Sequence, residues 1–124
     1  MRLLLDTLAL LWWLADDARL ERSAVEAISD AEIVAVSAAS AWEIGIKQAI
    51  GKLDGPDDLS AEMASNGFIE LPVTVAHALA AGALPPLHAD PFDRMLVAQA
   101  RAEGFTLVTR DQRLADYGIA HLRA

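Results

Sequence analysis

Acidic residues at the ends of predicted strands are the chemically most informative feature of the sequence. The apolar residues 3–5 are followed directly by Asp6, and the predicted strand at residues 106–109 is followed closely by Asp111. In parallel α/β sheets, binding sites form beyond the carboxyl ends of the strands. We therefore predict that Asp6 and Asp111 face the same edge of a sheet.

Two further carboxylates are placed to join them. Asp93 lies in the first turn of a helix that leads into the strand at residues 106–109. Glu43 lies in the helix that follows a second apolar strand at residues 33–36, and most of that helix is apolar. A carboxylate in an otherwise apolar helix indicates a specific partner. The sequence thus predicts four convergent carboxylates: Asp6, Glu43, Asp93 and Asp111.

Clustered carboxylates favour metal-dependent hydrolysis. Several such groups cannot all remain ionised at close range without a counter-cation. Oxygen ligands suit Mg²⁺ or Mn²⁺, and such a cation activates water and stabilises negative charge on a phosphoryl group. We therefore expect Mg²⁺ or Mn²⁺ as cofactor and phosphodiester hydrolysis as the reaction.

Each acid also has a structural interpretation. Asp6 and Asp111 are typical helix N-caps. Asp90 precedes Pro91 and is the predicted N-cap of a buried helix, so that Asp93 three residues later favours the helix dipole or completes a capping box.

For Glu43, the structural interpretation is an i,i+4 ion pair with Lys47. The apolar character of the surrounding helix favours a role in the site.

The histidines and other catalytic motifs contribute little. His77, His88 and His121 show no metal-ligand spacing, and we expect them to be solvated or in loops. The sequence contains no glycine-rich phosphate loop and no G-x-S-x-G motif.

The remaining candidates are aromatic and basic. Trp12, Trp13 and Trp42 could stack on bases, but their helical positions favour the core or an interface. Arg94 and Arg110 flank proposed ligands and either hold a phosphate or form surface salt bridges.

Apolar strands alternate with helices along the chain, which predicts one α/β domain over residues 1–124. Its central sheet should be parallel, with four or five strands covered on both faces. In the helix predicted at residues 23–29, Val25 and Ile28 should face the core.

Composition limits the partners. The net charge of −8 argues against nucleic-acid binding, unless a cation neutralises the acidic pocket or a basic partner covers it. No apolar run approaches the roughly 18 residues of a membrane span, and there is no cysteine. We expect a cytoplasmic protein with no membrane association.

Four motifs, in order, resemble the PIN-domain ribonucleases of the VapC toxin type. They are Leu3-Leu4-Leu5-Asp6-Thr7, Ser40-Ala41-Trp42-Glu43-Ile44, Asp90-Pro91-Phe92-Asp93-Arg94 with Leu96-Val97-Ala98-Gln99-Ala100, and Thr109-Arg110-Asp111. The resemblance implies a three-layer α/β/α sandwich and a Mg²⁺- or Mn²⁺-dependent endoribonuclease acting on structured RNA such as tRNA or rRNA. It also implies a homodimer that a cognate VapB-type antitoxin neutralises.

The same resemblance assigns roles to residues. Asp6, Asp93 and Glu43 would hold the main cation, and Asp111 would bind a second cation or orient water. Thr7, Ser40 and Thr109, together with the predicted cap Asp90, would be supporting polar groups.

The sequence departs from the family pattern at two positions. Relatives commonly have His where this chain has Leu8, and often Arg where it has Ala89. These departures motivate one alternative, a catalytically weak interaction module that acts through its antitoxin or DNA partner. The sequence also leaves open a second alternative, a metal-dependent phosphoesterase with another substrate.

Overall fold

A parallel sheet of five strands forms the centre of the molecule, for which a computed structural model describes residues 1–124. The strand order is β3-β2-β1-β4-β5, and every neighbouring pair is parallel. The strands are β1 (Arg2–Leu5), β2 (Ile33–Ser37), β3 (Ile69–Leu71), β4 (Thr106–Thr109) and β5 (His121–Arg123). The predicted parallel sheet is therefore confirmed.

Helices cover both faces of this sheet. They are α1 (Thr7–Leu14), α2 (Arg22–Asp30), α3 (Ala38–Ala49), α4 (Leu59–Ser65), α5 (Val75–Ala83) and α6 (Pro91–Glu103), with a 3₁₀ helix at Gln112–Tyr117. Leu3 and Leu5 belong to the apolar cluster on one face, and Leu4 belongs to the cluster on the other. Because β1 is covered on both sides, all three leucines are fully buried. The three-layer α/β/α prediction is confirmed.

The chain changes direction along the sheet at β1. It first adds β2 and β3 on one side of β1, and later adds β4 and β5 on the other. Leu5 is in register with Val108 of β4, so the residues that follow these two strands emerge side by side. A crevice at such a switch point is where open α/β sheets bind ligands.

Helix α6 closes this crevice from one face. Its N-cap is Asp90 and Pro91 is its first residue, as the sequence predicted. Gly104 ends the helix with a φ of 71°, a left-handed conformation that glycine adopts without steric cost. Residues 96–100 are all buried, so the first turn of α6 is anchored to a rigid core.

Helix α2 differs from its prediction. Ala24 and Ile28 are its buried residues, whereas Val25 is 37% exposed. The pair at spacing i,i+4 faces the sheet, and the small Ala24 side chain is fully buried there. The sequence-based prediction placed Val25 in the core because its side chain is larger and more hydrophobic than that of Ala24. No helix has the length and apolar character needed to cross a membrane.

Candidate functional site

An open pocket of about 400 Å³ lies at the carboxyl ends of the central strands. It brings all four predicted carboxylates together with a fifth, that of Asp90. Its lining residues are Asp6, Thr7, Leu8, Leu11, Glu43, Lys47, Leu53, Asp90, Asp93, Arg110 and Asp111. The acid-rich crevice predicted from strand ends therefore exists.

Asp6 is both a helix cap and a pocket residue. Its Oδ1 atom accepts a hydrogen bond from the backbone N–H of Ala9 at 2.8 Å, which caps α1. Burial raises the pKa of this carboxyl to about 6, although the Ala9 bond and the Thr109 hydroxyl both favour the ionised form. Repulsion from Glu43 and Asp111 adds to the rise. The two interpretations of Asp6 therefore do not exclude each other.

Asp93 is the pocket carboxyl with the most strongly raised pKa, at about 7. Burial is the main cause, followed by repulsion from Asp90 and Asp6, which the nearby His88 ring partly offsets. Asp90 accepts the backbone N–H bonds of Phe92 (2.8 Å) and Asp93 (3.3 Å), so it is the cap of α6. The Asp93 carboxylate is thus not needed for capping and faces the pocket.

Glu43 is held at both of its oxygens. The Thr7 hydroxyl donates to Oε1 at 2.6 Å, and the Lys47 ammonium donates to Oε2 at 2.6 Å. The Glu43 side chain is only 7% exposed. The i,i+4 pair considered from the sequence forms, and it forms inside the pocket. Lys47, which sequence reasoning treated only as a surface partner, is therefore a residue of the site.

Asp111 is fixed by two basic side chains. Arg113 donates through Nε to Oδ1 at 3.1 Å and through its terminal nitrogen to Oδ2 at 2.9 Å. His88 contacts Oδ2 at 2.9 Å. These bonds, those from Arg113 above all, hold the pKa of Asp111 well below its usual range. Arg113 was not predicted, and the Asp-x-Arg spacing directly after β4 is the signal that could have found it.

His88 lies in a loop, as the prediction allowed, but it is not solvated, because the residue is 9% exposed and its ring contacts the site carboxylates. Its Nδ1 atom accepts the backbone N–H of Asp90 at 3.0 Å. The ring proton must then be on Nε2, which lies 2.9 Å from Asp111 and 3.5 Å from Asp93. In this arrangement His88 is therefore a donor that orients the carboxylates. Ligand atoms of His88, Asp93 and Asp111 lie within 4.8 Å of one another, close enough to hold a metal ion together.

The other two histidines lie outside the pocket. His77 is 3% exposed and lies in α5, which contradicts the prediction. It forms a capping box with Thr74 at the start of α5, and its Nε2 atom lies 2.8 Å from Glu103. His121 is exposed, in agreement with the prediction, although it lies in β5 and not in a loop.

Of the predicted supporting groups, Thr7, Ser40 and Thr109 are buried, and Asp90 is partly exposed. Thr7 holds Glu43, as described above. The Thr109 hydroxyl accepts the backbone N–H of Asp111 at 3.0 Å and also favours the ionised form of Asp6, so it links the two strand-end acids. Ser40 is 1% exposed, lies three residues before Glu43, and its hydroxyl has no hydrogen-bond partner.

Arg94 does not line the pocket. Its guanidinium donates to the carbonyls of Ala81, Leu84, Pro85 and His88, and it contacts the Tyr117 hydroxyl. Arg94 forms no salt bridge, so that expectation is wrong, and a phosphate contact of Arg94 stays a prediction. The residue instead ties the loop before α6 to the start of that helix.

Arg110 does line the pocket, and two of its five N–H donors are bound to backbone carbonyls. Its Nε donates to the carbonyl of Ala124 at 2.7 Å, and a terminal nitrogen donates to the carbonyl of Arg19. The guanidinium lies 4.8 Å from the centroid of the Trp12 ring, a distance typical of cation–π contact.

The tryptophans have different environments. Trp12 is in the core, as expected, and Trp13 packs partly buried against Phe68. Trp42 is 67% exposed and makes an edge-on contact with Phe92 at 5.3 Å between ring centroids. None of the three lines the acidic pocket.

The donor set suits a hard divalent cation. The pocket presents five carboxylates against two basic side chains, and the pKa values of Asp6 and Asp93 are raised, so these carboxylates repel one another and are poorly solvated. A bound cation would relieve both penalties. Oxygen ligands can be supplied by Asp6, Asp93 and Glu43, and by Asp111 on the opposite side of the pocket.

This fold and acidic pocket define a recognisable class of protein. The family model described as PIN domain matches residues 3–120, and the chain therefore belongs to the PIN-domain family. It is 34% identical over 122 residues to Ribonuclease VapC22 of Mycobacterium tuberculosis (strain ATCC 25618 / H37Rv), with 92% of this chain and 90% of that protein covered.

Solved structures show the same fold at lower identity. VapBC2 from Rickettsia felis, bound to a DNA fragment from its promoter, superimposes with a TM-score of 0.72 at 14% identity, covering 99% of this chain and 98% of the other. FitAcB from Neisseria gonorrhoeae has a TM-score of 0.65 at 17% identity, with 98% and 96% covered.

Proposed function

We propose that this protein is a Mg²⁺- or Mn²⁺-dependent endoribonuclease, the toxin of a VapBC-type toxin–antitoxin pair. The observation that carries the proposal is the pocket of convergent carboxylates in which Asp6 and Asp93 have raised pKa values. Membership of the PIN-domain family and the 34% identity to a VapC ribonuclease support RNA as the substrate. Structured RNA, such as tRNA or rRNA, is the substrate class we propose.

Asp6, Asp93 and Glu43 would hold the cation, which supplies an activated water and neutralises charge on the scissile phosphate. The Thr7 hydroxyl and the Lys47 ammonium fix the Glu43 carboxylate before any ligand arrives. The protein thereby provides preorganised positions for ligands.

On the other side of the pocket, Asp111 is proposed to orient the attacking water or bind a second cation. His88 and Arg113 hold its oxygens, and Asp111 stays ionised at all physiological pH values because these donors lower its pKa. The water oxygen adds to phosphorus and the RNA 3′ oxygen leaves, so no side chain has to act as nucleophile.

The proposed partners follow from the same pocket. An acidic cavity on a protein with a net charge of −8 suits a basic side chain of a VapB-type antitoxin. We also propose a homodimer. Co-expression with the neighbouring reading frame should yield a stable complex in which RNA cleavage is suppressed, and a complex that leaves the pocket open and active would contradict this assignment.

Cleavage of total RNA tests the enzymatic proposal. Purified protein with Mn²⁺ should cleave RNA, and Asp6→Asn or Asp93→Asn should reduce the rate at least about 100-fold because each removes a ligand from the cation site. The matched control is Asp30→Asn, an exposed acid at the end of α2. Equal cleavage by the wild type and both pocket variants would refute the assignment.

A further inference from the structure

Lys47 is a basic residue of the acidic pocket that the mechanism above uses only to hold Glu43. It lies on the last turn of α3, and its side chain is 45% exposed, whereas that of Glu43 is 7% exposed. An ammonium group has three N–H donors. One of them is bound to Glu43 at 2.6 Å, and no other hydrogen bond is formed by Lys47 Nζ. Two donors of this cation therefore remain available at the pocket surface.

The pocket has few other groups that can attract an anion. Its lining contains five carboxylates and only two basic side chains, Lys47 and Arg110. The Arg110 guanidinium is already bound to the carbonyls of Ala124 and Arg19 and lies over the Trp12 ring. Lys47 is thus the more exposed of the two pocket cations, with 45% of its side chain exposed against 31% for Arg110.

The Lys47 ammonium can be reached from outside the pocket, because 45% of the side chain is exposed. A long side chain with its charge at the tip and half its surface in solvent can reach a phosphate that enters from outside. Lysine forms such contacts as a point charge, without the fixed geometry that arginine requires.

We propose that Lys47 binds a backbone phosphate of the RNA substrate, through the donors that Glu43 leaves free. This inference rests on the proposed ribonuclease function and adds a substrate-binding residue to it. Glu43 then has a second role, because it fixes the lysine tip at the pocket wall. The contact requires no metal ion, since it is made by the side chain itself.

Binding of a fluorescent RNA stem-loop, measured by anisotropy in EDTA over a range of salt concentrations, tests this contact without cleavage. Lys47→Met keeps the aliphatic length and removes the charge. It should weaken RNA binding about 5- to 10-fold and reduce the salt slope by about 0.7, the value expected for one lost phosphate contact. Lys47→Arg should retain the wild-type slope. The matched control is Lys52→Met, an exposed lysine just beyond α3 that should change neither quantity.

A double-mutant cycle separates phosphate binding from support of Glu43. In a Glu43→Gln background, Lys47→Met should still reduce the salt slope, since the phosphate contact does not depend on an ion pair. If Lys47 serves only to neutralise Glu43, the second substitution should have no effect in that background, which would overturn the inference. Thermal melting of each variant confirms that the chain is folded.

The remaining outcomes are also informative. Suppose that the wild type cleaves RNA in Mn²⁺. If Lys47→Met then has the wild-type salt slope of RNA binding, or if the wild type does not bind RNA in EDTA, this inference is overturned and the ribonuclease function remains. A wild-type protein that neither binds nor cleaves RNA would overturn both.

Discussion

At the scale of single residues, the pocket concentrates charge that the folded protein stabilises poorly. In the unfolded chain the Asp6 and Asp93 carboxyls have the ordinary pKa of 3.8, and in the folded protein the values are about 6 and about 7. Between pH 3.8 and about pH 7, the native state therefore holds more protons than the unfolded state. The contribution of the two groups to the free energy of unfolding is greatest below pH 4 and falls as the pH rises to 7.

Replacing Asp93 removes part of this pH dependence. Asp93→Asn should raise the free energy of unfolding of the metal-free protein at pH 7.5 by about 1–4 kcal/mol. The rise in pKa from 3.8 to about 7 corresponds to about 4 kcal/mol, and solvent screening reduces this value. Urea unfolding of the wild type and the variant across pH 4–8 measures this difference in the free energy of unfolding. Asp30→Asn is the control, and a variant with the wild-type dependence would contradict the role of burial at Asp93.

His88 acts on the chemistry through Asp111. His88→Ala removes the donor to Oδ2, and we expect the cleavage rate to fall about 10- to 100-fold with little change in KM, as for other groups that orient site carboxylates. His88→Gln can donate from a similar position and should recover part of the rate. If His88→Ala raised KM at constant kcat, the residue would instead be part of substrate binding.

At the scale of secondary structure, helix α6 determines where the key carboxylate lies. Asp90 caps the helix, residues 96–100 anchor it, and Asp93 is thereby held in its first turn facing β1 and β4. The same N-cap also brings a second negative charge close to Asp93 and raises its pKa. Capping and electrostatics are therefore coupled at this position.

Two substitutions at Asp90 separate these effects. Asp90→Ala should lower the free energy of unfolding by about 1 kcal/mol through loss of the cap. Asp90→Ser retains a capping oxygen and removes the charge, so stability should stay close to that of the wild type while the pKa of Asp93 falls. Chemical denaturation and NMR titration of Asp93 measure the two quantities. A rise in that pKa in Asp90→Ser would contradict the argument.

At the scale of the whole molecule, a divalent cation should act as a stabilising ligand. A ligand that binds only the native state raises its stability according to its concentration relative to Kd, by about 2.7 kcal/mol at 100-fold excess. The five pocket carboxylates come from the N-caps of α1 and α6, from within α3 and α6, and from the segment after β4, so one cation would connect distant parts of the chain.

Thermal melting at pH 7.5 tests this connection. Millimolar Mg²⁺ or Mn²⁺ should raise Tm by several degrees, since a change of about 1 kcal/mol shifts the Tm of a domain of this size by roughly 4 °C. The shift should be lost in Asp6→Asn and retained in Asp30→Asn. No shift in the wild type would favour the alternative of a non-catalytic interaction module.

The sequence by itself determined the fold class, the cap of α6 and four acids of the pocket. These depend on local signals: apolar runs with strand length, the Asp90-Pro91 helix start, and acids placed directly after strands. Since the carboxyl ends of parallel strands share one edge of a sheet, position along the chain was enough to predict that these acids meet.

Only the tertiary structure decided the environment of each side chain. His88 is buried beside Asp111, Arg94 binds carbonyls away from the pocket, and Lys47 lies within it. Each outcome depends on contacts between residues far apart in the sequence or on which helical face meets the sheet. Hydrogen bonding and burial set the pKa values and leave Lys47 with free donors, and both arise only when the layers pack together.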